Sequence, residues 1–173
     1  MSNIFEGQTV AEIRRRARND ADATATVYWQ DGRVPVDPVR IARDMGIQVF
    51  SAQLGDDVYG MINGTDSGVE IYVDQDNPEV RQRFTIAHEI GHFVANASSL
   101  DGEVNFVERR SDSGAGTSDE IHANEFAASL LMPEQQVRVA HEGSRDVFRL
   151  AQMFDVSVPA MRWRLRHLEL PAS

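Results

Sequence analysis

The segment FTIAHEIGHFV, residues 84–94, sets two imidazoles and a carboxylate into an otherwise apolar run. His88 and His92 are four positions apart, so on a helix they stand one turn apart on one face and both rings can reach a single ion. Glu89 is turned about 100° from His88; it borders such an ion without competing for the same pair of bonds. In the His-Glu-x-x-His pattern one helix supplies two zinc ligands, and the glutamate acts as general base toward the metal-bound water. The plain alternative is a pair of half-buried histidines. The spacing, the intervening glutamate and the apolar setting favour the ion.

Zinc needs a third protein ligand and a place left for water. The chain has no Cys, so the donors are His, Asp or Glu. The stretch SDEIHANEFAASLLMP, residues 118–133, offers several, on a helix whose apolar stripe is Ala123, Phe126, Ala127, Leu130 and Leu131. Glu120 and Asn124 share one face of it, one turn apart. That pairs a carboxylate ligand with an amide able to hold a ligating side chain in place. His122 is the rival, turned about 200° from Glu120; Asp119 and Glu125 are weaker rivals. Tyr59, Tyr72, His122 and His141 are candidates to stabilise a developing oxyanion, and each is as readily a structural side chain. A His-His-carboxylate set suits Zn2+ and also admits Mn2+ or Fe2+.

The elements that must position these groups follow from periodicity and punctuation. Residues 8–20 read as a helix with Val10, Ile13 and Ala17 on one stripe, followed by a loop. Asp37-Pro38 starts a second helix that stops at Gly46. Strands are expected at 47–50, 58–62 and 69–73, the last two joined as a hairpin by the turn-rich 63–68. Asp76-Asn77-Pro78 opens the histidine helix. Gly91 within that helix costs about 1 kcal/mol against Ala and asks for a close neighbour. Residues 98–118 read as irregular, a polar loop whose composition suits a cover over the cleft, with the small polar tract 111–118 expected to be mobile. Helices follow at 119–132, 133–140, 145–154 and 158–168.

The chain has 173 residues, 42% hydrophobic and 25% charged, and a net charge of −10. That is the balance of a globular domain with an ample core, and its sign opposes nucleic acid as a partner. No apolar run is long enough to span a membrane, and charges interrupt the start where a leader would be apolar; a cytoplasmic location is expected. All 17 basic residues counted as Lys or Arg are Arg. Arg14, Arg15, Arg16 and Arg18 read as a solvated helix face.

The segments RFTIAHEIGHF and EIHANEFAASLLMP, with VDPVRIARDMGIQV upstream and LAQMFDVSVPAMRWRLRHL near the end, together resemble the ImmA/IrrE family of metallo-endopeptidases. The HEIGH motif alone is generic; its combination with ANEFAASLLMP is far more specific. The resemblance implies an α+β fold. A zincin-like metallopeptidase core, with a small antiparallel sheet of about three strands packed on helices, would occupy residues 1–141. Helix-turn-helix-like helices would occupy 142–173. It places the third zinc ligand on Glu120; His122 stands where many members have Glu, a variable position. It also implies a protein substrate, a helix-turn-helix repressor of the Xre type, whose cleavage relieves repression of phage, mobile-element or stress genes. A non-catalytic regulator that holds a repressor or DNA is the competing reading. The tail carries Arg162, Arg164, Arg166 and His167 on its second helix. Asp155 at the turn, where Gly is typical, and the net acidic charge argue against DNA contact there. They favour a tail that packs on the catalytic part or grips the substrate. An exposed edge of the hairpin at 58–73 would suit an extended peptide.

Overall fold

The computed structural model describes residues 4–55, 58–65, 68–96, 105–109 and 116–173. Among these residues seven helices and four strands run in the order α1 Val10–Tyr28, α2 Pro38–Asp44, β1 Ile47–Ala52, β2 Val58–Thr65, β3 Gly68–Asp74, α3 Glu79–Asn96, β4 Asn105–Arg109, α4 Ser118–Leu131, α5 Glu134–Gly143, α6 Val147–Phe154 and α7 Val158–His167. The class is α+β.

Helix α3 is the central element. One side of it packs on β2 and β3 of the sheet, another on α4, and α1 covers the far side of α4. Every residue of α3 from Thr85 to His92 is buried. Ile62, Ile71 and Val73 of the sheet join Ile86, Ala87 and Ile90 of α3 and Phe126, Leu130 and Leu131 of α4 in one apolar cluster. Val147, Leu150, Phe154, Met161 and Leu165 of the tail belong to the same cluster, so α6 and α7 pack on the rest of the chain across the 141/142 boundary. Gly91 has the neighbour it requires: a Cβ there would sit 3.1 Å from Ala123 Cα and 3.1 Å from Phe126 Cδ1. Its absence lets α3 and α4 approach closely enough for their polar faces to meet.

Several expectations change. The first helix runs on to Tyr28 because its second half packs: Ala21 and Thr24 are buried, and the Thr24 hydroxyl donates to Asp20 O at 2.8 Å. The sheet has four strands in the order β1-β3-β2-β4 and is mixed, since β1 pairs parallel to β3 while β2–β3 and β2–β4 are antiparallel. A parallel pair needs a crossover, which local turn chemistry does not announce. The fourth strand falls within the stretch read as irregular. It is five residues long and its partners Val58–Asn63 lie more than 40 positions upstream, so no adjacent hairpin signals it. Because β4 covers β2 and β1 covers β3, the hairpin at 58–73 has no free edge; among the described strands the edges are β1 and β4. The polar tract 111–118 lies mostly outside the described residues.

Candidate metal centre

The local sequence sets the site's first two groups. Helix α3 presents His88 and His92 on the face toward α4, with relative exposures of 0% and 3%. Their Nε2 atoms lie 3.0 Å apart. The third group comes from the first turn of α4. Thr117 caps that helix, its hydroxyl accepting from the Glu120 N–H at 3.3 Å, and the cap fixes where the Glu120 side chain leaves the helix. Glu120 Oε2 is 3.5 Å from His88 Nε2, and Oε1 is 3.3 Å from His92 Nε2.

These spacings test whether an ion fits. Donors bound at zinc's usual 2.0–2.1 Å in a tetrahedron are about 3.3–3.4 Å apart. The three separations here, 3.0, 3.3 and 3.5 Å, bracket that value. The ligand atoms of His88, His92 and Glu120 all lie within 4.8 Å of one another, and among the described residues no other such group of three converges.

Electrostatics agrees with the geometry. The pKa of His88 is pushed down from 6.5 to about 3, first by burial and then by His92 beside it; Glu120 and Asn124 pull the other way without prevailing. A neutral imidazole is the form that binds a metal. Asn124 Oδ1 stands 3.2 Å from His88 Nδ1. With the proton on Nδ1 donated to that oxygen, the Nε2 lone pair faces Glu120. For Glu120, burial raises the carboxyl pKa, but the hydrogen bond from His92 and the His88 and His92 charges outweigh it and the net shift is down. The uncharged His88 imidazole and the Glu120 carboxylate give the set a donor pair that a cation would offset.

Glu89 is fully buried, at 0% exposure, on the sheet side of α3. Gly60 of β2 lies against it. A Cβ on Gly60 would collide with Thr85 Cγ2, meet Tyr72 O at 3.0 Å and come within 3.7 Å of Glu89 Oε1. The pairing of β2 with β4 shifts register between Val58 and Gly60, which bends the strand where it crosses α3. Gly60 is a site residue that sequence reading passes over. A glycine inside a predicted strand was the available signal.

The four oxyanion candidates are dispersed. His122 turns away from Glu120 onto α1, where Nε2 meets Asp20 Oδ2 at 2.9 Å and the ring packs 5.2 Å from Phe5. His141 Nε2 is 2.6 Å from Pro171 O. The Tyr72 hydroxyl donates to Glu70 Oε2 at 2.9 Å, and its ring stacks on Phe50. Tyr59 alone borders the cleft next to α3, with the Arg81 guanidinium 4.8 Å from its ring centroid and Phe84 lining the same cavity. Of the rival ligands, Glu125 is buried among arginines, 3.0 Å from Arg18 Nη1 and 3.8 Å from Arg14 Nε. Arg14 and Arg18 reach this acid while their side chains stay 41% and 40% exposed, so the face is solvated as read and ion-paired at its inner edge; Arg16 leans over Phe5 at 5.1 Å.

The tail is fastened beside this centre. Arg83 of α3 donates through Nη2 to Val36 O at 2.7 Å and through Nε to Asp155 O at 3.2 Å, with the Asp155 carboxylate at 3.0 Å. Asp155 takes the left-handed turn, φ 52°, that Gly would otherwise fill, a conformation Asp tolerates. Arg164 is 2% exposed and donates to Met132 O at 2.9 Å, so it faces the core rather than an outside surface.

Residues 42–166 match the Peptidase_M78 family, described as the IrrE N-terminal-like domain. Among solved structures, a Mycobacterium tuberculosis transcriptional regulator is similar in fold, with a TM-score of 0.61 at 19% identity over 90% of this chain. The chain spans about half of that regulator, 51% of its length. No curated protein sequence matches the chain.

Proposed function

The chain belongs to the Peptidase_M78 family of IrrE N-terminal-like domains, and from that membership and its His88–His92–Glu120 triangle we propose that it is a zinc-dependent endopeptidase. The convergence of three donors from two helices, at the spacing of a tetrahedral ion's ligands, carries the reading. His88, His92 and Glu120 would hold the ion, with Asn124 orienting His88. When bound, the ion would supply Lewis acidity, bringing the pKa of a water to about 7 and polarising the peptide carbonyl. Glu89 takes the water's proton at its carboxylate as the carbonyl is attacked, then delivers it to the departing nitrogen. Gly60 and Thr85 pack behind that carboxylate. Tyr59, which lines a cavity with Phe84, is the candidate to support the oxyanion. No helix among the described residues is long and apolar enough to cross a membrane.

The substrate in this reading is a helix-turn-helix repressor of the Xre type, whose loss would relieve repression. Direct DNA contact through α7 is not part of it. The chain carries a net charge of −10, and Arg164 is committed to Met132 and the core. The test is co-incubation of the metal-loaded chain with an Xre-type repressor encoded beside it, with fragments identified by mass spectrometry. Glu89→Gln should keep its metal and its grip on the repressor while cleavage falls by about 10²–10⁴-fold. A mutant that cuts as fast as the parent would remove the mechanism. A mutant that relieves repression equally well without cutting would replace the enzyme by a binding regulator.

A further inference from the structure

Residues 42–166 carry the family match. The N-terminal segment and α1 precede that stretch, and they hold the helix that bears Glu120. Phe5 is 1% exposed. It belongs to a small apolar cluster apart from the main core, with Ile13 of α1 and Ala95 of α3 buried beside it and Ile4 and Ile121 packed against them. Ala95 follows His92 by three positions, and Ile121 directly follows Glu120. One phenyl ring therefore joins the two ligand-bearing helices where those ligands leave them. The ring of buried His122 lies 5.2 Å from that of Phe5, and the Arg16 guanidinium stands 5.1 Å over it. His122 is fixed in turn by Asp20, Nε2 to Oδ2 at 2.9 Å. It also stacks at 6.2 Å on Phe126, the ring that packs against Gly91 of α3.

Glu120 is the third residue of α4, and the first turn of a helix is where it frays most readily. The Thr117 cap ties the backbone of that turn together through the Glu120 N–H. It does not set the distance from the turn to α3. A ligand must be held to about 0.5 Å for its site to be formed in advance. The two side chains that follow Glu120, Ile121 and His122, are the ones taken up by Phe5 and Asp20. We propose that Phe5, with Asp20 acting through His122, is a positioning residue for Glu120. The N-terminal segment clamps the first turn of α4 to the end of α3 and so sets the affinity for the metal. The coupling is reciprocal, so a bound ion tightens the hold on the segment. The clamp rests on the reading of His88, His92 and Glu120 as ligands.

The experiment measures zinc affinity by chelator competition on the full chain, with circular dichroism showing that each variant is folded. Phe5→Ala should weaken zinc about tenfold or more, within the range seen when the support of a ligand is removed. Asp20→Ala should weaken it in the same direction, and it decides the matter if Phe5→Ala does not fold. Phe5→Leu, which keeps an apolar bridge, should bind nearly as the parent does. Val137→Ala removes carbon from the main core on α5 and serves as the control for lost stability alone; its zinc affinity should be unchanged. In the parent, zinc should slow amide hydrogen exchange over residues 5–13. Parental affinity in both Phe5→Ala and Asp20→Ala, an equal loss in Val137→Ala, or exchange over residues 5–13 that ignores zinc overturns the clamp. Glu120→Leu separates the two readings. If it abolishes zinc binding while the Phe5 and Asp20 variants bind as the parent does, the clamp fails and the ligand set stands. If it binds as the parent does, the ligand set fails and takes the clamp with it.

Discussion

Helix α4 carries two inward-facing glutamates five positions apart, and they have opposite surroundings. Glu125 is 2% exposed and answered by guanidinium groups on every side: Arg18 at 3.0 Å, Arg14 at 3.8 Å and Arg164 at 4.0 Å. Glu120 is answered by two imidazoles at 3.3 and 3.5 Å, and burial keeps His88 uncharged. The first acid is neutralised by the chain itself. The second is left with ligand-type neighbours. A buried acid surrounded by fixed cations is structural; one that converges with two imidazole nitrogens is a place for a metal ion. The family match does not by itself say which glutamate is which; the partners do.

That contrast can be broken most sharply at Glu120. Glu120→Leu should abolish stoichiometric zinc in the purified protein while the far-ultraviolet circular dichroism is unchanged; full retention of zinc would mean that the ligand set is wrong. The mirror experiment removes Arg164. Because that guanidinium lies buried beside Glu125 and holds Met132 O, Arg164→Ala should cost about 3–5 kcal/mol by chemical denaturation and leave zinc stoichiometry intact. Loss of zinc without loss of stability would reverse the roles assigned to the two clusters. Asn124→Ala should weaken zinc binding about 10–100-fold, measured by chelator competition, since His88 loses the acceptor that fixes its tautomer. Gly91→Ala should destabilise the fold by about 1–3 kcal/mol despite the better helix former, because its methyl would press on Ala123 and Phe126.

The mildest test uses protons. His88 is held neutral in the fold, its pKa down from 6.5 to about 3, and Glu120 is shifted in the same direction. As pH falls below about 6.5 the unfolded imidazole takes up a proton that the folded one refuses. Metal-free protein should therefore lose stability progressively from pH 6.5 toward 3, with Glu120 adding to the loss below its ordinary 4.5. His88→Phe should flatten the upper part of that slope in thermal melts; an unchanged slope would assign the dependence to other groups.

Local patterns were legible in the sequence because their physics is local. The His88–His92 spacing needs only the pitch of one helix, the Asp37-Pro38 start only a cap and a ring, and the Asn124 partnership only the repeat of α4. Gly91 signalled a close approach through its cost in a helix, and α4 supplied it. Long-range pairings were not legible. Strand β4 is identified by hydrogen bonds to β2, and the parallel β1–β3 pair by a crossover. The second half of α1 is held by its packing, and Arg14 and Arg18 reach an acid more than 100 residues away.

The sequence by itself determined that one helix carries two imidazoles and a carboxylate at metal-binding spacing, and that a second helix carries Glu120 and Asn124 on one face. Periodicity fixes such relations within an element. Only the tertiary structure decided that Glu120, rather than His122 or Glu125, meets those imidazoles, that Gly60 lies against Glu89, and that α6 and α7 share the core of the rest of the chain. These depend on which faces of separate elements pack together, and that is set by the shared burial of Ile86, Ile90, Phe126 and the tail's apolar residues in one core.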